Sequence, residues 1–216
     1  MTGDLQKSVA RGRAGGLTTA LVADCYKTDL HEISGLRKLC GEDQIVFGPV
    51  LRVRTDGKIL PVVYALAFAQ PGDILLVENR DADCNKALLG DIVLAECAQK
   101  GIAGVICTGL IRDLAQARQL GIPVWAAGLS PRPAPFGTPA CLTPDDVARL
   151  PQFWAFADED GVLTVVIQDP KELVVRCLIK KRREDKFLEE MKRSSLAEKM
   201  NIVSHVDENG ELLIGF

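Results

Sequence analysis

Along the chain the apolar residues fall into blocks whose period switches between helical and extended. Residues up to about Leu17 are polar and glycine-containing, which predicts a loose end. From Thr18, T-T-A-L-V-A-D-C-Y-K offers a hydroxyl N-cap followed by apolar residues at helical spacing, and so a short helix. Ile45 to Arg54, rich in β-branched residues, reads as a strand ended by the turn Thr55-Asp56-Gly57. Next, I-L-P-V-V-Y-A-L-A-F-A-Q reads as an almost wholly apolar helix stopping before Pro71-Gly72, and Ile74 to Asn79 as a buried strand. The unit recurs at once. Asn85 to Gly101, with apolar Leu88, Leu89, Ile92, Val93 and Cys97, reads as a helix closed by Gly101. Then come a second buried strand, I-A-G-V-I-C-T-G, a short helix from Asp113 to Leu120, and a third strand, I-P-V-W-A-A-G. Strands alternating with helices over short links predict an α/β fold with parallel pairing and right-handed crossovers.

After Gly128 the texture changes. S-P-R-P-A-P-F-G-T-P-A carries four prolines in eleven residues and reads as a long loop. F-W-A-F-A-D-E-D-G-V-L-T-V-V-I reads as an antiparallel hairpin turning at Asp158 to Gly161, with exposed carboxylates in the turn. From Asp169-Pro170 to about Met200 a long helix is expected, with Pro170 at its first position and Lys, Arg and Glu at i,i+4 spacings. Its second half has too few apolar residues to be buried in its own domain. The end of the chain reads as a small hairpin turning at Asn209-Gly210. We therefore divide the chain into an α/β domain, residues 1–168, and an arm, residues 169–216, expected to contact another subunit.

Composition narrows the possibilities. The 216 residues, 47% hydrophobic and 25% charged, suit an ordinary folded domain. A net charge of −3 supplies no global basic field, so nucleic acid is not favoured as the main partner. Seven cysteines, odd in number and without a C-x-x-C pair, argue for reduced thiols and against a zinc site or disulfide framework. The amino terminus lacks the apolar region of a signal peptide and no run of eighteen apolar residues exists, so a cytoplasmic location with no membrane partner is expected.

One constellation looks like chemistry. Asp91 is followed, after twenty intervening residues, by the adjacent Arg112-Asp113. One helix and one returning strand need about that length, so both ends fall on the same rim of the sheet, where open α/β sheets bind ligands. A carboxylate there suits a hard divalent cation, magnesium or manganese, because no His or Cys clusters nearby. The guanidinium beside it suits a carboxylate or a developing oxyanion. On pattern alone, an Arg-Asp pair capping the following helix stays equally open.

The D-x20-R-D pattern is preceded by A-L-L-G-D, contains G-I-A-G-V-I, and is followed by G-I-P-V-W-A-A-G-L-S-P-R and A-D-E-D-G-V. Together these resemble the superfamily of regulator of ribonuclease E activity A (RraA) and 4-hydroxy-4-methyl-2-oxoglutarate aldolase, over roughly Val46 to Val166. The resemblance implies a layered, swivelling β/β/α domain, here with a long C-terminal helix and a small terminal hairpin, assembled as a homotrimer or hexamer. It implies a lyase of the class II pyruvate aldolase type. Such enzymes use Mg2+ or Mn2+ to cleave 4-hydroxy-2-oxo acids to pyruvate through a metal-stabilised enolate, and many also decarboxylate oxaloacetate. Carried over by residue, the metal-binding aspartate falls on Asp113 and the substrate-binding arginine on Arg112. The substrate-contacting segment falls on Gly90, Asp91, Ile92 and Val93, whose amides would bind the pyruvyl carboxylate, and Asp91 would orient the water that exchanges the proton. Members that act only as regulators tend to lack the final aspartate of the motif, so Asp113 favours an enzyme. The competing expectation is a non-catalytic regulator that binds a ribonuclease or another protein.

Two departures bear on substrate choice. Where the family commonly has a glycine-rich run, this chain has N-R-D-A-D-C-N, Asn79 to Asn85, which would narrow the pocket or add contacts through Arg80, Asp81 or Asp83. The aldolases also draw an acidic residue from a neighbouring subunit's C-terminal region, for which Glu184 is the candidate. Elsewhere, Lys180 to Arg183 reads as a solvated face, His31 and His205 as surface or packing residues, and Ser130-Pro131-Arg132 as a structural turn.

Overall fold

Residues 3–26, 30–139, 143–200, 203–206 and 212–215 are described by the computed structural model, and most of them wrap one curled sheet. The elements are α1 (Gly3–Ala14), α2 (Thr19–Cys25), β1 (Leu30–Glu32), β2 (Arg37–Cys40), β3 (Val46–Thr55), α3 (Leu60–Leu66), β4 (Ile74–Asn79), β5 (Ala87–Leu89), α4 (Asp91–Gln99), β6 (Gly104–Ile111), α5 (Leu114–Leu120) and β7 (Val124–Leu129). After a long loop and a 3-10 turn at Pro144–Asp146 come β8 (Val147–Ala157), β9 (Val162–Val166), α6 (Pro170–Met191), α7 (Leu196–Lys199), β10 (Val203–Val206) and β11 (Leu212–Gly215). The main sheet runs β1-β9-β8-β3-β4-β6-β7-β2, with β5 alongside β6. As the alternating pattern predicts, β3, β4, β6 and β7 pair in parallel, while β8 and β9 form the expected antiparallel hairpin.

Three apolar clusters explain the layering. Leu51, Val53, Leu75, Val77, Val105 and Cys107 alternate along the strands and meet α3, α4 and α5 on one face. On the other face, Val50, Ile74, Leu76, Ile106 and Trp125 meet Ala155, Ala157 and Val162. Trp125 on β7 and Val162 on β9 are far apart in strand order, so their place in one buried cluster requires the sheet to curl into a half-barrel. The indole N–H of Trp125 donates to the Asp158 carbonyl at 2.9 Å and closes the curl. The third cluster packs Phe47, Trp154 and Phe156 under Leu21 and Val22 of α2 and Leu173, Val174 and Cys177 of α6. The stacked rings of Phe47 and Phe156, 5.3 Å apart, lie at its centre.

Several elements depart from the sequence pattern, each for a physical reason. Residues 3–14 form a helix and not a loose end. Gly12 lets that helix approach the core, since a Cβ there would lie 2.8 Å from Phe47 Cζ. The expected helix over Asn85 to Gly101 divides at Gly90. Ala87–Leu89 pair with β6 as a strand, and the helix begins at Asp91. Leu88 and Leu89 are therefore buried in the sheet, while Ile92, 79% exposed, is not a core residue. The apolar stretch Ile59 to Gln70 is helical only from Leu60 to Leu66 and leaves Val63, Tyr64 and Phe68 exposed. The short edge strands β1 and β2 carry no apolar period and were not expected.

Near the carboxyl end, α6 starts at Pro170 as expected, capped by Asp169 accepting from the Lys171 N–H at 2.8 Å. It stops at Met191 instead of reaching Met200, and Ser195 restarts a short helix through a capping box with Glu198. β10 and β11 pair antiparallel as expected; their turn at Asn209-Gly210 lies outside the described residues. The acidic turn at Asp158 is not wholly solvated. Asp158 accepts from Thr19 N–H at 2.8 Å and Thr19 Oγ1 at 2.7 Å, fixing α2 to the hairpin.

A buried ion pair joins the amino-terminal edge of the sheet. Asp73, fully buried, accepts from the Arg149 guanidinium at 2.9 and 3.1 Å and from the Gln70 N–H at 2.9 Å. Four of the described cysteines behave as core hydrophobes. Cys40, Cys97, Cys107 and Cys177 are buried, and burial pushes the Cys97, Cys107 and Cys177 thiols up to about 12. Among the described residues no helix is long and apolar enough to cross a membrane.

Candidate active site

The site is built where β5 and β6 end side by side. Leu89 lies opposite Ile111 in the parallel register, and the Arg112 N–H donates to the Leu89 carbonyl at 2.9 Å. Each chain then leaves the sheet, one through Gly90 into α4 and the other through Arg112 into α5. The twenty-residue spacing therefore places Gly90-Asp91 and Arg112-Asp113 in contact at one carboxyl edge, as the topology argument requires.

Contacts at this edge converge on one carboxylate. Asp113 Oδ2 lies 3.2 Å from Arg112 Nε and accepts a long 3.4 Å bond from the Asp91 N–H. Both contacts fall on Oδ2, which leaves Oδ1 to accept a further ligand. The Arg112 and Asp113 side chains are 36% and 34% exposed, open enough to meet a small molecule and covered enough to be oriented. Asp113 adopts φ 60°, and among the described residues no other non-glycine residue has a positive φ. A left-handed aspartate at this edge stores strain that its neighbours must hold in place. Although Asp113 occupies the N-cap position of α5, its carboxylate makes no capping bond there. The helix-cap alternative is therefore set aside by geometry, because the carboxylate turns to α4.

Gly90 is required by space. A Cβ on it would lie 2.8 Å from Asp113 Oδ2 and 3.0 Å from Arg112 Nε. Its extended backbone caps α4, whose first amides point out of the helix without intrahelical acceptors. Of these, the Ile92 N–H donates to Asp91 Oδ1 at 2.8 Å, and the Ile92 side chain stands free. Val93 packs partly against the core and anchors the turn.

The donor set fits a hard divalent cation that retains most of its water. Among the described residues no group of three or more His, Cys, Asp or Glu is poised to hold a metal. The Asp113 carboxylate would supply one hard donor, and water or substrate oxygens would complete an octahedron. Mg2+ is commonly held this way, by one or two carboxylates.

The loop Asn79 to Asn85 is tied down by its own side chains. Asn79 accepts from the Gly57 N–H at 3.1 Å and donates to the Asp81 carbonyl at 2.8 Å. Arg80 is drawn to Asp56 at 2.8 and 3.0 Å and to Asp146 at 3.1 Å, so its guanidinium is engaged away from Arg112. The partner Asp146 escaped the sequence reading, although Thr143-x-x-Asp146 is a capping-box signal, and both halves of that box are formed. The Asn85 carbonyl accepts from Ser130 Oγ at 2.9 Å, which makes Ser130 to Arg132 the structural turn expected of it. Glu184 lies on α6 and pairs with Lys180 at 2.7 Å, so it does not join this site within one chain. His31 sits exposed on β1, and His205 falls within β10.

Comparisons with known proteins agree with this architecture. The family description RraA-like (Aldolase/RraA) matches residues 19–164. A relative from Halalkalibacterium halodurans, named "Putative 4-hydroxy-4-methyl-2-oxoglutarate aldolase", is 29% identical over 178 residues, covering 80% of this chain and 83% of its own. Among solved structures, an unusual RraA-family member from Streptomyces coelicolor, described within the RNase ES inhibitor family, superimposes with a TM-score of 0.63 at 25% identity, covering 90% of this chain and 98% of its own. The RNA-processing inhibitor RraA of Thermus thermophilus superimposes with a TM-score of 0.58 at 25% identity, covering 70% and 93%.

Proposed function

The chain belongs to the RraA-like family, and on that footing we propose that it is a divalent-metal-dependent lyase that cleaves 4-hydroxy-2-oxo acids to pyruvate, with oxaloacetate decarboxylation as a related activity. The observation that carries this reading is the convergence of Gly90, Asp91, Arg112 and Asp113, with the strained Asp113 carboxylate turned into the site and not used as a helix cap. Relatives named as aldolases support the same class of chemistry.

In this reading Asp113 would hold Mg2+ or Mn2+, which when bound supplies Lewis-acid polarisation of the substrate's 2-oxo group. The first-turn amides of α4 at Ile92 and Val93 take the substrate carboxylate, where the helix dipole favours negative charge, while the Asp91 N–H stays on Asp113. For that, the Asp91 carboxylate must release the Ile92 N–H that it now accepts from. Turned outward, it is free to hold the water that carries a proton to and from the methyl carbon of pyruvate. Arg112 meets the negative charge that grows on the oxo oxygen as the C3–C4 bond breaks, and it is stabilising because that charge is absent in the bound substrate. Gly90 lets these groups approach. Gly90→Ala is expected to leave the fold intact and lower kcat/KM about 100-fold, since a displacement near 1 Å has that order of effect; equal activity of the two proteins would show that the close approach is not used.

The test of the function is a lactate-dehydrogenase-coupled assay for pyruvate. It is run with Mg2+ or Mn2+ on 4-hydroxy-4-methyl-2-oxoglutarate, 4-carboxy-4-hydroxy-2-oxoadipate and oxaloacetate. Metal-dependent pyruvate release from at least one of them is expected. Silence on all three would remove the lyase reading and favour the second one, a protein-binding regulator, which the RraA name of the Thermus neighbour supports.

A further inference from the structure

We propose that Cys25 and Cys177 form a modification site, at which a hydroperoxide closes a reversible disulfide between the end of α2 and the first half of α6. The two thiols lie far apart in the chain and meet in the aromatic cluster. Cys177 is fully buried there, and its Sγ lies 3.8 Å from the Leu21 carbonyl, one helical turn before Cys25 on α2. The Cys25 and Cys177 side chains are in hydrogen-bond contact. Cys25 is only part-buried and lines a groove of about 1040 Å³ between α2 and α6. One sulfur is thus open to a small oxidant and the other waits behind it, the arrangement of a reactive thiol beside a resolving one.

Neighbouring contacts hold the pair in place. Asp24, just before Cys25, pairs with Lys180 at 3.1 Å, and the guanidinium of Arg176, just before Cys177, lies 5.2 Å over the Tyr26 ring. Both residues flanking Cys25 are therefore tied to α6 on either side of Cys177, which keeps the two backbones from drifting apart, the usual obstacle to a bridge. The chemistry balances in two steps. The Cys25 sulfur attacks the outer oxygen of the hydroperoxide, the O–O bond breaks, and the thiol proton leaves with the departing oxygen as water or an alcohol. Cys25 is then a sulfenic acid. The Cys177 sulfur attacks the Cys25 sulfur, the S–O bond breaks, and the Cys177 proton joins the leaving hydroxide as water. The thiol pair has lost two electrons and the peroxide bond has gained them. Burial pushes the Cys177 thiol up to about 12, which keeps it from reacting first. Cys84 is the other part-buried thiol among the described residues, and its Sγ is engaged with the Lys86 carbonyl at 3.7 Å.

The experiment uses the full chain, reduced, desalted and exposed to hydrogen peroxide at neutral pH, then denatured, alkylated and mapped by mass spectrometry. A peptide linking Cys25 to Cys177 within one chain is expected, with both thiols protected from alkylation and restored by dithiothreitol. The bridge closes a loop of most of the chain, so the oxidised protein should melt about 5–15 °C higher. Cys177→Ser, whose hydroxyl can still donate to the Leu21 carbonyl, should leave Cys25 as a sulfenic acid that dimedone traps. Cys25→Ser should leave Cys177 reduced, and Cys84→Ser should bridge like the wild type. Three results overturn the proposal: Cys25 joined to any other cysteine, Cys177 still open to alkylation in the wild type once the peroxide is consumed, or a bridged protein that melts no higher than the reduced one.

Discussion

Asp113→Ala should abolish pyruvate release, lowering kcat/KM by about 1000-fold or more, the order expected when a principal electrostatic group of a site is lost. The backbone argument makes the variant informative. Asp113 is held at φ 60°, where a left-handed alanine is strained and has no carboxylate to turn toward α4. Asp113→Asn keeps the shape and the tolerance of that conformation, yet gives up the charge, so it separates the two effects. If charge is what matters, Asn is as inactive as Ala while its thermal unfolding follows the wild type. Activity that survives both substitutions would sink the assignment of this site even if the enzyme itself were confirmed. A preparation of Asp113→Asn that still required the same Mg2+ or Mn2+ concentration for half activity would also remove Asp113 as the metal-holding group.

The largest effect on stability is expected far from that edge. Asp73→Ala deletes a fully buried carboxylate and strands the Arg149 guanidinium that it holds at 2.9 and 3.1 Å. Removing one member of a buried pair costs about 3–5 kcal/mol. Arg149 is 28% exposed and regains some water, so the lower end applies. A loss of about 3 kcal/mol corresponds to a fall of about 6–12 °C in melting temperature for a chain of this size. The same substitution frees the Gln70 N–H, and it loosens the turn whose Asp73 carbonyl accepts from Ala103 at 2.8 Å. Urea unfolding followed by tryptophan fluorescence measures the change. A shift below about 0.5 kcal/mol, within the scatter of surface substitutions, would show that the pair contributes nothing net.

Part of this architecture is legible in the residues themselves. β-branched runs at Ile45 to Arg54 and Ile74 to Asn79, broken by Pro and Gly, mark the strands because side chains of that shape suit a pleat buried on both faces. Thr18 and Asp169 mark helix starts because their side-chain oxygens satisfy free amides, a strictly local interaction. The separation of Asp91 from Arg112-Asp113 marks their meeting, since a helix followed by a parallel strand can return only to the same edge. The family resemblance is carried by the same local strings.

Other features depend on residues distant in sequence. Leu88 and Leu89 suit a helix as well as a strand, and β6 decides the matter by offering hydrogen-bond partners that the local sequence does not contain. The amino-terminal residues 3–14 are polar enough to be loose, and they are helical where Gly12 meets Phe47 and where α6 lies alongside. Nothing in Asn79 to Asn85 tells that Arg80 is claimed by Asp56 and Asp146, the second of them 66 residues onward. Nor does spacing tell that Asp113 is left-handed, or that its carboxylate leaves its own helix for the Asp91 amide. Sequence by itself determined the central strands, several helix starts and the one edge at which Asp91, Arg112 and Asp113 meet, because periodicity, caps and chain return are local. Only the tertiary structure decided which carboxylate is left with an oxygen to offer, because that depends on which donors from other segments reach it first.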